Sequence, residues 1–134
     1  MFIKKYFSLI ILAGIMSSGF VFPQNDVISK VRDAIKTGSS KEISQLLNQT
    51  VDMAIQGTMK NYSKAQAEIV LRDFFKKYPP SSFTIKHQGS SKGGLLYAIG
   101  VYISDDSTFD VWIRVKNFDD SYLIQQVSFT KSKI

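Results

Sequence analysis

The sequence predicts an α+β fold, a curved antiparallel sheet wrapped around N-terminal helices and one long helix in the order α-α-β-α-β-β-β-β. Three observations carry this reading. Ala67, Val70, Leu71, Phe74, Phe75 and Tyr78 form one apolar stripe at helical spacing. Beyond Pro79-Pro80 the chain alternates in strand fashion almost to its end, broken only by short turn signals. Strands joined so closely must pair antiparallel.

The elements follow in order. Residues 1–24 read as a leader: Lys4 and Lys5 are a positive start, Phe7 to Met16 an apolar run, and Ser17, Ser18 and Gly19 small cleavage-site residues. Cleavage after Gly19 suits these residues. Phe20-Val21-Phe22 leaves open a cut at Gln24 or an uncleaved anchor, although Tyr6 to Phe22 falls short of the about 20 apolar residues of a membrane span. Residues 25–134 are expected to form a single domain, which opens with a helix on Val27, Val31, Ala34 and Ile35, stopped by Gly38. Ser39 and Glu42 have the spacing of a capping box for a short helix from Lys41 to Leu47, which Asn48-Gln49 breaks. Val51, Met53 and Ile55 mark a half-buried strand. The segment Thr58 to Tyr62 is open between loop and second short strand.

Ser63 and Gln66 box the long helix, placed at Lys64 to Tyr78 and stopped by the two prolines. Four strands then span Ser82–Gln88, Leu95–Ile103, Phe109–Lys116 and Tyr122–Thr130. A flexible Gly89–Gly94 connection joins the first two. Asp105-Asp106-Ser107 and Asn117–Ser121 turn the others, and their paired aspartates read as turn chemistry rather than as calcium ligands.

Composition narrows the chemistry. With no cysteine there are no disulfides, thiolate metal sites, cysteine nucleophiles or lipoprotein anchors. The net charge of +6 falls to +4 once the two leader lysines are removed, and the remaining lysines are scattered. Export argues against a nucleic-acid partner. The glycines at 89–94 are not followed by the lysine, hydroxyl residue and helix of a phosphate loop, and the sequence has neither a serine-nucleophile elbow nor a zinc-protease signature. No cofactor is expected.

One family resemblance adds to this. The run Tyr78-Pro79-Pro80-Ser81-Ser82-Phe83-Thr84-Ile85-Lys86-His87-Gln88-Gly89-Ser90-Ser91, with Gly94, Tyr97-Ala98-Ile99-Gly100 and Tyr122-Leu123-Ile124-Gln125-Gln126, resembles a family of exported Bacteroidetes proteins classed as a domain of unknown function. Its members look similar to the nuclear transport factor two-like (cystatin-like) superfamily. The resemblance spans roughly Val27 to Phe129. It implies an α+β cone with a pocket between sheet and helices, and homodimerisation through the sheet. It implies no activity, because that superfamily hosts enzymes, binders and assembly modules alike.

Within such a cone, alternation from Phe83 and Ile85 puts His87, the single histidine, on the helix-facing side. Alternation also turns Tyr97 inward with Ile99 and Val101, and Gln126 inward with Tyr122 and Ile124. His87, Tyr97 and Gln126 then form a modest polar set in an apolar pocket, suited to a small apolar ligand. Trp112 and Arg114 fall on the opposite, outer face, with Tyr102 as a neighbour, and suit a protein partner because such residues dominate interface hot spots. Asp52 and Asp110 lie outward of their apolar neighbours, which leaves His87 without a carboxylate to orient it. The leading expectation is therefore a non-catalytic exported module, periplasmic, envelope-bound or secreted. Its partner would be a small apolar ligand or a protein, with a homodimer through the sheet face as one form. The rival is a hydrolase or isomerase using His87 as general base.

Overall fold

The helices form where their caps allow. The computed structural model describes residues 25–133, so the expected leader at 1–24 lies outside the described residues. Helix α1 (Asn25–Thr37) buries Ile28, Val31, Ala34 and Ile35. Gly38 ends it at φ +69°, donating to the Ile35 carbonyl at 3.0 Å while Ser39 donates to Ala34 at 3.0 Å, a left-handed stop of the Schellman type. That stop consumes the Ser39 amide. Helix α2 (Ser40–Gln45) therefore keeps only half of the expected capping box, the Ser39 hydroxyl accepting from the Glu42 amide at 3.1 Å. It is shorter than its apolar pattern suggests, because Leu47 already starts β1 (Leu47–Ile55). Asn48 and Gln49, expected to be a break, are strand residues.

The open segment resolves as a strand, β2 (Lys60–Ser63), antiparallel to β1 with Tyr62 opposite Val51. The long helix α3 (Lys64–Lys77) carries both halves of its box, Gln66 N–H to Ser63 Oγ at 3.2 Å and Ser63 N–H to Gln66 Oε1 at 3.3 Å. Strands β3 (Ser82–Ser91), β4 (Leu95–Ser104), β5 (Ser107–Phe118) and β6 (Ser121–Lys131) form the expected meander. Gly89 belongs to β3, so the flexible connection shrinks to a turn with Gly93 and Gly94 at φ +83° and +78°.

The six strands lie in the order β2-β1-β6-β5-β4-β3, and helices cover one face, as the α+β reading predicts. One pair departs from the antiparallel rule: β1 and β6 run parallel. Short turns constrain only strands adjacent in sequence, and these two are the ends of the strand series.

The core sits between α3 and the concave sheet face. Phe74 of α3 stands 4.6 Å from Phe129, 5.1 Å from Phe109 and 5.5 Å from Tyr102, centroid to centroid. Phe75 and Tyr78 complete this aromatic cluster, with Val111, Ile113, Val115, Ile124 and Val127 beneath. Gly100 lets the Phe83 ring lie flat on β4, since a Cβ there would stand 2.8 Å from Phe83 Cε1. Rings thus occupy the middle of the concave side.

Candidate functional site

Two β-bulges decide where the candidate residues point. In β3 the pairing with β4 slips by one residue between Ile85 and His87. Before the slip Phe83 lies opposite Tyr102 and Ile85 opposite Gly100, on the helix-facing side. After it His87 lies opposite Ile99, on the outer side, and is exposed. Simple alternation places His87 inward, and the extra residue Lys86 overturns that placement, because one inserted residue reverses the face of all that follow.

The same physics corrects Gln126. The β5–β6 register shifts between Arg114, opposite Gln126, and Val115, opposite Ile124. Gln125 is the extra residue, so Gln126 leaves the parity of Tyr122 and Ile124 and turns outward. Tyr97 is also outward, 37 % exposed, and Tyr102 is fully buried on the inner face rather than beside Trp112. Both follow from the Asp105-Asp106 hairpin. It pairs Ser104 with Ser107, hence Tyr102 with inward Phe109 and Tyr97 with outward Arg114. Trp112 and Arg114 lie on the outer face as the sequence predicts.

The three residues expected inside the cone and two of the three expected outside it, Trp112 and Arg114, therefore meet on one surface. One row across the sheet reads His87, Ile99, Trp112, Ser128 and Ala54. The next reads Gly89, Tyr97, Arg114, Gln126, Asp52 and Asn61, crossing all six strands. Trp112, at the middle of the first row, leaves 49 % of its surface exposed. Tyr97 covers the bare backbone of Gly89, where a Cβ would come within 2.7 Å of its hydroxyl.

Arg114, in the second row, is held by two side-chain hydrogen bonds. Its Nε donates to Gln125 Oε1 at 3.1 Å and its Nη2 to Gln126 Oε1 at 2.7 Å. Both acceptors are neutral, and among the described residues no carboxylate pairs with it, so its charge is fixed in place and uncompensated. Asn61 Nδ2 donates to Asp52 Oδ1 at 2.9 Å farther along the row. Asp110, exposed on the same face of β5, lies one outward step from Trp112, as Arg114 does on the other side. Sequence reasoning named Asp110 only as a failed partner for His87.

His87 also lines a groove of about 300 Å³ between α1 and the edge strand β3, with Ile28, Ser29, Arg32, Ile85, Lys86 and Gln88. No carboxylate lines it, so a general base there lacks the group that would orient its ring. No group of three or more His, Asp or Glu among the described residues is placed to hold a metal ion. The paired aspartates sit in hairpins, with Asp105, Asp119 and Asp120 at positive φ.

Residues 28–130 match the model of a domain of unknown function, DUF4783. A DUF4783 family protein from Bacteroides uniformis is 27 % identical, with a TM-score of 0.75 over 79 % of this chain and 97 % of that one. A domain of unknown function with a cystatin-like fold from Nostoc punctiforme is 13 % identical, with a TM-score of 0.64 over 82 % of this chain and 75 % of that one. An NTF-2 like protein of unknown function from Silicibacter pomeroyi is 12 % identical, with a TM-score of 0.59 over 81 % of this chain and 92 % of that one. The last two share the fold alone. No curated protein matches the chain. The chain belongs to the DUF4783 family, on an NTF2-like, cystatin-like α+β fold.

Proposed function

We propose that this DUF4783 protein is a non-catalytic, exported binding module whose working surface is the outer sheet face and whose first partner is a second copy of itself. The observation that carries the reading is Trp112, half exposed at the centre of the face and flanked on β4 by the apolar residues Tyr97, Ile99, Val101 and Ile103. An indole left so open gains by being covered, since apolar burial contributes about 25 cal/mol per Å².

The charges on β5 favour a twofold contact. Asp110 and Arg114 flank Trp112 symmetrically, and neither has an ion-pair partner among the described residues. In an isologous interface residue i meets j while j meets i. Two such faces packed about Trp112 with their β5 strands antiparallel bring Arg114 against the partner subunit's Asp110, twice. The Gln125–Gln126 clamp supports this by holding the guanidinium ready, which lowers the ordering cost of binding.

Sedimentation equilibrium tests the reading. The wild-type protein should show a concentration-dependent monomer–dimer equilibrium, and Trp112→Ser should be monomeric with unchanged folding stability. Asp110→Lys and Arg114→Glu should each weaken the dimer, and the double charge swap should restore it. A wild type that stays monomeric at the highest attainable concentration removes the second copy as the partner.

A further inference from the structure

A second opening lies on the other side of the sheet, at the C-terminal ends of α3, β1 and β6. It is a cavity of about 270 Å³ lined by Ile55, Gln56, Val70, Asp73, Phe74, Lys77 and Tyr78. That is slightly below the usual range of ligand pockets, about 300–1,000 Å³, and matches a small ligand. Its floor is apolar. Phe74 is buried in the aromatic cluster, and Tyr78 packs against Phe109 at 4.9 Å between ring centroids.

Two cations stand over the Tyr78 ring, Lys77 from within the lining and Lys131 from just outside it. Lys77 Nζ lies 5.5 Å and Lys131 Nζ 5.9 Å from the centre of the Tyr78 ring. Lys131 is brought there by strand parity, lying opposite inward-facing Phe109. Neither ammonium has a salt-bridge partner among the described residues, and Asp73 is the one carboxylate in the lining. Lys77 also complements the negative end of the α3 dipole. Lys131 has no such role, being at the end of a strand.

The rim is strained. Gln56 sits at φ +55°, a conformation that costs a residue with a Cβ about 1 kcal/mol. It is held there by its N–H donating to the Phe129 carbonyl at 2.8 Å. The left-handed residue follows directly on the end of β1 and is part of the cavity wall. Backbone outliers of this kind cluster at ligand clamps.

We infer that this cavity binds a small monocarboxylic acid with an aliphatic or aromatic body. The apolar part lies against Ile55, Val70 and Phe74, and the carboxylate lies between the ammonium groups of Lys77 and Lys131, with the Gln56 amide as a further donor. The site is independent of the outer face and stands or falls apart from it.

The test is an amide-resolved NMR titration of the protein purified after expression of the full chain, with benzoate and hexanoate as probes. Benzamide and hexanamide, of the same shape without the charge, are the controls. The acids should shift Gln56, Val70, Lys77 and Tyr78 and bind about tenfold more tightly than the amides. Lys77→Gln with Lys131→Gln, both exposed, should bring the acids down to the level of the amides and leave amide binding unchanged. Val70→Trp should fill the cavity and abolish both. The inference is overturned if the acids shift no residue of this lining, if acid and amide bind equally, or if acid binding survives the double lysine variant.

Discussion

Replacing Tyr102 by phenylalanine removes one oxygen from a fully buried side chain. That oxygen carries the hydroxyl that donates to the Tyr78 carbonyl, at the end of α3. The carbonyl is one of those a helix end leaves without an intrahelical partner. The ring stays, so packing against Phe74 and Phe129 is conserved. The loss is therefore that of one donor to a shielded acceptor, about 1–3 kcal/mol, which lowers the urea midpoint by about 1 M. A second signature separates this from a packing change. Burial pushes the Tyr102 phenol well above its ordinary value near 10. Above pH 10 the unfolded chain gives up this proton and the folded one keeps it, so the unfolded state binds fewer protons and wild-type stability falls with pH. The slope from this one group approaches about 1.4 kcal/mol per pH unit. Phenylalanine has no proton to give, and the other tyrosines are common to both proteins. The wild-type advantage should thus be constant below about pH 9 and shrink above pH 10. Urea titrations from pH 7 to about pH 11 measure it. Equal midpoints at neutral pH, or an advantage that does not change with pH, would refute the reasoning.

Two further substitutions test the backbone. Gly100→Ala puts a Cβ 2.7 Å from the Thr84 carbonyl oxygen and 2.8 Å from Phe83 Cε1. The carbonyl belongs to the paired strand and cannot swing aside, so overpacking should cost about 1–3 kcal/mol in chemical unfolding. Asp120→Gly acts in the opposite direction: Asp119 and Asp120 are both left-handed, at φ +47° and +69°, in a two-residue hairpin. Glycine there should raise the melting temperature by about 4 °C, in proportion to about 1 kcal/mol of relieved strain.

Element types were legible from the residues because caps and periodicities agree. The Ser63–Gln66 box and the two prolines bracket α3 almost to the residue. Which way each strand faces was legible only in part. On β5 one side is aliphatic and the other carries Asp110, Trp112 and Arg114, so its direction is unambiguous. On β4 both sides are apolar, and alternation cannot choose between Leu96-Ala98-Gly100 and Tyr97-Ile99-Val101. The choice was available from the hairpin: pairing Ser104 with Ser107 carries the known direction of β5 across to β4. On β6 the sequence shows its own phase change, since Ile124 and Val127 are both buried yet three residues apart. Nothing comparable marks the β3 bulge, because Lys86, His87 and Gln88 are all polar and all exposed.

The β6 bulge joins the core to the outer face. Without it, the parity of Tyr122 and Ile124 would continue, sending Gln126, Ser128 and Thr130 inward and Val127 and Phe129 out to solvent. Exposing Phe129 alone forfeits about 1.5–3 kcal/mol of burial, and an unpaired amide at Gln126 costs a further 1–3 kcal/mol or so. One unpaired ladder position is cheap beside that, so the apolar pattern itself selects the bulged register. The consequence appears on the opposite side of the sheet. In a regular strand the side chains of consecutive residues point to opposite faces and cannot both reach one guanidinium. A bulge lets Gln125 and Gln126 do so, at 3.1 and 2.7 Å from Arg114. The demand that buries Phe129 thus also builds the clamp that fixes Arg114 beside Trp112. For that reason the register that packs the core also sets the geometry of the proposed interface.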